Sequence, residues 1–195
     1  MTERLAFSRG EREVFDKDLL MKAIPSCINV EKTDEATDRA GIDYIAMLRG
    51  GAKINIDAKT RDKYSSRFWH YGEPELALER FSVCPSDDPN GQGIIGWTLS
   101  ETSNVDMILY TFDRYDTDMV YLIPFQHLRM AFWNNGAKWV NKYGYKFQRS
   151  EKKEYRNKGW KSQAVFVPAS VVLQAVTYAM QGSIIYPDCG SVKVA

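Results

Sequence analysis

The stretch AKINIDAKT, residues Ala52 to Thr60, decides how this chain is read. Ile54, Ile56 and Ala58 alternate with Lys53, Asn55, Asp57 and Lys59. That is the two-residue period of a β-strand whose apolar side meets a core. Asp57 and Lys59 fall together on the polar side, near the strand end. The segment before it, GIDYIAML (residues 41–48), reads as a second strand, and the intervening Arg49-Gly50-Gly51 reads as a hairpin turn. Two short strands joined in this way place Asp43 and Asp57 on neighbouring strands. Paired carboxylates raise each other's pKa unless a cation lies between them. A hard cation such as Mg²⁺ is commonly held by one or two carboxylates plus substrate phosphate. Lys59, on the face of Asp57, is suited to steady developing phosphorane charge or to orient an attacking water. The alternative is a solvated surface pair, with Asp43 capping a turn; such pairs add little stability.

Outward from this hairpin, GEREVFDKDLLMKAI (10–24) has helical spacing and stops at Pro25, and NVEKTDEATDRA (29–40) reads as a polar loop. ELALERFSV (75–83) is a strand candidate, CPSDDPNGQG (84–93) a loop, and IIGWTL (94–99) and DMILYTF (106–112) are short apolar runs. DMVYLIPF (118–125) reads as a strand paired to the preceding run through DRYDTD. A helix follows over PFQHLRMAFWNNGAKWV, with Asn134–Gly136 as an expected interruption, then a basic segment, the strand SQAVFVP and the helix ASVVLQAVTYAM. The order predicts one mixed α/β domain over residues 1–195, with a central sheet of about five strands flanked by helices.

Composition narrows the function classes. The chain has 195 residues, 44% hydrophobic and 26% charged, near the globular average. No run approaches the ~20 apolar residues that cross a bilayer. The charged opening MTERLAFSRGEREVF has no apolar core, so no secretory signal is expected. Cys27, Cys84 and Cys189 are scattered and lack a CxxC, which argues against a zinc site and points to a reducing, cytoplasmic setting. With two histidines, His70 and His127, there is little material for imidazole-based chemistry.

Charge is unevenly spread. Residues 138–161 hold nine basic and two acidic side chains, a net +7 that leaves the rest of a +1 chain at −6. Trp139, Tyr143, Tyr145, Phe147, Tyr155 and Trp160 interleave with these cations. Cations hold phosphates and aromatics stack on unpaired bases, so the mixture suits a nucleic acid. A solvated basic face around core aromatics is the plainer alternative.

Asp43 followed by Asp57-Ala58-Lys59 resembles the PD-(D/E)XK, restriction-endonuclease-like nuclease superfamily, of phage or bacterial type. The resemblance spans about Gly41 to Phe125. It extends through Glu79 in ELALERFSV, Gly96-Trp97 in IIGWTL and Asp106 in VDMILYTF. Ile42 stands before Asp43 where the superfamily often has proline. The resemblance implies a restriction-endonuclease-like core and a Mg²⁺-dependent deoxyribonuclease, with Mn²⁺ as the alternative ion. Asp43, Asp57 and the Ala58 carbonyl would ligate the metal. Lys59 would act on water or the transition state. Glu79 is a further catalytic candidate, and Glu11 or Glu13 could approach from the N-terminal helix. Arg61, Lys63, Lys142, Lys146, Arg149, Lys152, Lys153 and Arg156 are the expected DNA contacts. DNA is the expected partner, with no membrane, and a homodimer would suit two-strand cutting. A non-catalytic nucleic-acid-binding module on the same fold, or a protein-interaction factor using the basic segment, are the competing readings.

Overall fold

The computed structural model describes Glu13 and residues 16–39, 41–61, 72–112, 119–149 and 160–182. A helix over residues 16–23 (α1) leads into strand β1 (Cys27–Lys32), a short helix α2 (Glu35–Arg39), β2 (Tyr44–Leu48) and β3 (Lys53–Arg61). Next come β4 (Glu75–Val83), β5 (Ile94–Ile95), β6 (Met107–Phe112) and β7 (Met119–Pro124). Helix α3 (Phe125–Tyr143), β8 (Tyr145–Arg149), β9 (Lys161–Pro168) and helix α4 (Ala169–Gly182) complete the described chain.

The expected mixed sheet of five strands is present, in the order β1-β2-β3-β6-β7. β2 and β3 pair antiparallel as the hairpin reading required, and Gly50 and Gly51 turn the chain with φ of 109° and 89°. These are values that residues with a Cβ rarely adopt. β3 then pairs in parallel with β6, and β6 in turn pairs antiparallel with β7. ELALERFSV is a strand too, but it lies outside this sheet. It is β4, in a second, four-stranded antiparallel sheet ordered β5-β4-β9-β8.

β3 is the central strand of the first sheet, and both of its faces are covered. On one side, Leu20 and Ile24 of the α1 region pack on Tyr44, Ala46, Ile56 and Leu109. On the other, Ile108, Tyr110 and Phe112 join Leu76, Leu78, Val165 and Val167 of the second sheet and Leu128, Phe132, Trp139 and Val172 of α3 and α4. The polar face of β3 carrying Asp57 and Lys59 is therefore on the side of the larger core. The Tyr110 hydroxyl reaches across to accept the Ala77 N–H at 2.8 Å, tying β6 to β4.

Two further expectations are corrected. NVEKTDEATDRA contains a strand and a short helix rather than a loop; only Val30 of β1 is buried, so this edge strand has almost no apolar alternation to read. α3 runs without interruption through Asn134–Gly136. The propensity loss at Gly136 is outweighed by burial of Phe132 and Trp139 on either side of it. The described residues of the basic segment 138–161 fall on the last turns of α3, on β8 and at the start of β9, with residues 150–159 outside the described set.

A Cβ at Gly136 would meet the Phe132 ring at 3.6 Å, an ordinary contact. Gly136→Ala is therefore expected to stabilise the protein by about 0.5–1 kcal/mol in urea unfolding, through lower chain entropy in the unfolded state and better helix propensity. Among the described residues, no helix is long and apolar enough to cross a membrane.

Candidate active site

Asp43 lies immediately before β2, and its main chain is fixed from two sides. Its N–H donates to the Ile56 carbonyl at 2.9 Å, and its carbonyl accepts the Thr33 N–H at 3.0 Å. The β2–β3 register pairs Tyr44 with Ile56, so continuing it by one residue sets Asp43 opposite Asp57. The Ala58 N–H, which a regular ladder would give to a strand carbonyl, donates to Asp43 Oδ2 at 2.6 Å. In an extended strand the N–H and C=O of one residue leave by the same edge, so the Ala58 carbonyl also points to the Asp43 side.

Asp57 is 4% exposed. Lys59 turns its ammonium back onto Asp57 Oδ1 at 2.6 Å and remains 31% exposed along its side chain. Its Nζ also stands 5.6 Å from the centre of the Trp97 ring. The main-chain N–H of Trp97 donates to Glu79 Oε2 at 3.4 Å, which ties the β4 glutamate to the residue whose ring flanks this lysine. Gly96 makes this possible. A Cβ there would fall 2.6 Å from the Glu79 carbonyl oxygen and 2.7 Å from its Cγ, so only glycine lets the turn lie so close to β4.

Burial pushes the Asp43 carboxyl above the usual carboxylate range; the Ala58 N–H opposes the rise, Asp57 adds to it and Lys59 opposes it. Glu79 is raised as well, chiefly by burial, against the Trp97 N–H and the Lys59 charge. Within the window between the ordinary carboxylate value and the raised one, folded chains hold protons that unfolded chains have released. Stability in EDTA is accordingly expected to fall as pH rises through that window, and Asp43→Asn should flatten the slope in thermal melts taken across it.

Beside Asp57 is a cavity of about 120 Å³, lined by Trp97, Ser100, Thr102 and Ser103 among others. Its loop is pinned by Arg129, which donates to the Ser100 carbonyl at 3.1 Å, and by Asn55, which donates to the Asn104 carbonyl at 2.9 Å. Asp106, at the head of β6, accepts the Asn55 N–H at 2.8 Å and so acts on the scaffold.

The fold thus gathers Asp43, Asp57, Ala58, Lys59 and Glu79. Arg61 follows on the same face of β3, with its guanidinium 4.5 Å from the centre of the Phe166 ring. Lys146 is placed by the second sheet: Glu79 pairs with Ala164 and Ala164 with Lys146, so all three side chains share one face. At ~4.8 Å between strands, Lys146 stands about 10 Å across from Glu79. Lys142 lies on the last turn of α3, its ammonium 5.2 Å from the centre of the Tyr143 ring. Glu13 is engaged by Lys17 at 2.7 Å and Lys32 at 3.7 Å. Glu11, Lys63, His70, Lys152, Lys153, Tyr155, Arg156 and Cys189 lie outside the described residues, as does the side chain of Arg149. His127 is half-buried on α3, and its Nδ1 has no partner among the described residues. Asp88, in the segment that could be mistaken for a calcium loop, accepts the N–H groups of Asn90, Gln92 and Gly93, as a turn residue does.

Trp97, named above only as part of the Gly96-Trp97 match, is brought by the structure to the site itself. The pairing of Gly with Trp at 96–97, directly after a two-isoleucine run, was the available signal.

Among the described residues no group of three or more His, Cys, Asp or Glu side chains gathers as a metal cage. The donor set is a carboxylate pair and a carbonyl, with an ammonium already seated on one carboxylate. That set fits a hydrated divalent cation that takes its remaining ligands from water and phosphate. No protein-family profile, curated protein or solved structure matches the chain.

Proposed function

We propose that the protein is a metal-dependent nuclease that hydrolyses phosphodiester bonds of DNA on a restriction-endonuclease-like core. The observation that carries this reading is buried Asp57 on β3 set opposite Asp43, the residue immediately before the antiparallel strand β2, with Lys59 two residues on and its ammonium on Asp57. Asp43, Asp57 and the Ala58 carbonyl would hold Mg²⁺ or Mn²⁺. Such an ion, when bound, supplies Lewis-acid polarisation of the phosphate and acidifies a coordinated water. The chain's own residues do the rest. The Ala58 N–H keeps the Asp43 carboxylate oriented, Lys59 donates to the attacking water or a non-bridging oxygen, and burial around Asp57 limits competing solvent. Glu79 acts through Lys59 and Trp97 rather than on the substrate. Lys146, across the second sheet, supports a DNA path over the face that holds Glu79. The free thiols of Cys27 and Cys84 support a reducing, cytoplasmic setting.

The test is a cleavage assay with linear, circular and single-stranded DNA and with RNA, in Mg²⁺, Mn²⁺ or EDTA. Metal-dependent cutting of DNA is expected, and the circular substrate separates endonuclease from exonuclease action. DNA binding without cutting in any metal would replace this reading with the binding module. Salt-sensitive binding to an acidic protein but not to DNA would favour the interaction factor.

A further inference from the structure

The Lys59 ammonium occupies the oxygen that a metal would need. Its Nζ sits 2.6 Å from Asp57 Oδ1. Two neighbouring carboxylates require a compensating cation, and in the described chain this lysine supplies it. A divalent ion would compete for the same oxygen and repel the ammonium at close range. A second berth is already built. The Trp97 ring lies 5.6 Å from Nζ, and the main-chain N–H of the same Trp97 holds the Glu79 carboxylate at 3.4 Å. The flexible four-carbon stem of lysine allows such a swing without backbone movement.

We propose that Lys59 is a tethered cation that holds Asp57 in the metal-free protein and transfers to Glu79 and the Trp97 ring when a divalent ion binds, so that Glu79 and Trp97 are positioning residues for this exchange. The inference rests on the nuclease reading of the same site. No covalent bond changes: one ion pair is exchanged for another. The exchange makes the lysine an occupant that the metal must displace. It also leaves the ammonium beside the metal site instead of dispersing it into solvent.

The exchange is tested on the full chain without DNA, by calorimetric titration with Mn²⁺. Lys59→Met, which keeps the length and removes the charge, should bind Mn²⁺ about tenfold more tightly than wild type while losing cutting. Glu79→Gln, which removes the charge of the second berth, should bind it about fivefold more weakly. Equal affinity in Lys59→Met and wild type overturns the displacement, and unchanged affinity in Glu79→Gln overturns the berth. A flat titration in every variant removes the metal site itself, and the nuclease reading with it. A second readout needs no Lys59 variant. In protein labelled at the tryptophan indole nitrogen, the Trp97 resonance, assigned by its loss in Trp97→Phe, should shift on saturation with Mg²⁺. An unmoved Trp97 signal in Mg²⁺-saturated protein also overturns the exchange.

Discussion

Asp57→Ala is expected to abolish metal-dependent DNA cutting while leaving a folded protein. Asp57 is buried, it faces Asp43 across the β2–β3 ladder, and it holds Lys59 at 2.6 Å. Under the proposed function its loss removes one of the two carboxylates assigned to the metal, and with it the group that holds the lysine. Turnover should fall by at least about 10³-fold, at the upper end of what deleting one preorganised electrostatic group costs an enzyme. Stability should change far less. Asp43 loses a like-charged neighbour, and Lys59, partly exposed, can turn to Glu79 or water, so neither group is left as an unpaired buried charge. Single-turnover cleavage and a thermal melt of the same preparation check both halves. Retained cutting with an unaltered melt would remove Asp57 from the chemistry.

The second large effect is expected at a residue with no side chain. Gly96→Ala would place a Cβ 2.6 Å from the Glu79 carbonyl oxygen and 2.8 Å from its carbonyl carbon, both main-chain atoms of β4. Neither can swing aside, so the turn must retreat. Forced overpacking of this kind costs about 1–3 kcal/mol. For a chain of this size that lowers the melting midpoint by about 2–4 °C per kcal/mol. As the turn retreats, the Trp97 N–H loses Glu79 and the ring leaves Lys59. Gly96→Ala should thus lose cutting beyond what its stability predicts, when assayed well below its melting midpoint. Gly136→Ala is the matched control, where the new Cβ has room. Equal behaviour of the two variants would mean that the close approach at Gly96 has no consequence.

Much of the site was legible because its signals are local. The hairpin through Gly50 and Gly51 fixes which residue of β2 meets which residue of β3, so Asp43 and Asp57 follow from a turn and a period of two. Trp97 was not legible in the same way. Its role depends on Gly96 meeting β4 across 17 residues of chain and on Lys59 arriving from another sheet, and neither leaves a pattern in the residues around it. Glu79 was read as a catalytic candidate, yet its placement, hydrogen-bonded to Trp97 rather than to the carboxylate pair, came only from how β4 packs. The basic segment shows the converse. Its composition was conspicuous, but charge has no period that distinguishes a helix end from a hairpin, so its division among α3, β8 and β9 could not be read.

By itself, the sequence determined that Asp57 and Lys59 share a face, because alternate residues of any extended strand do. It determined as well that Asp43 falls opposite Asp57, at the start of the neighbouring strand, because a two-glycine turn leaves little choice of register. Only the tertiary structure decided that this face is covered rather than solvated. The parallel pairing of β3 with β6 joins Asp57 to Ile108, and packing of the second sheet closes over them. Contacts between residues so far apart in the chain are chosen by the joint burial of whole apolar faces, which no single stretch of sequence encodes.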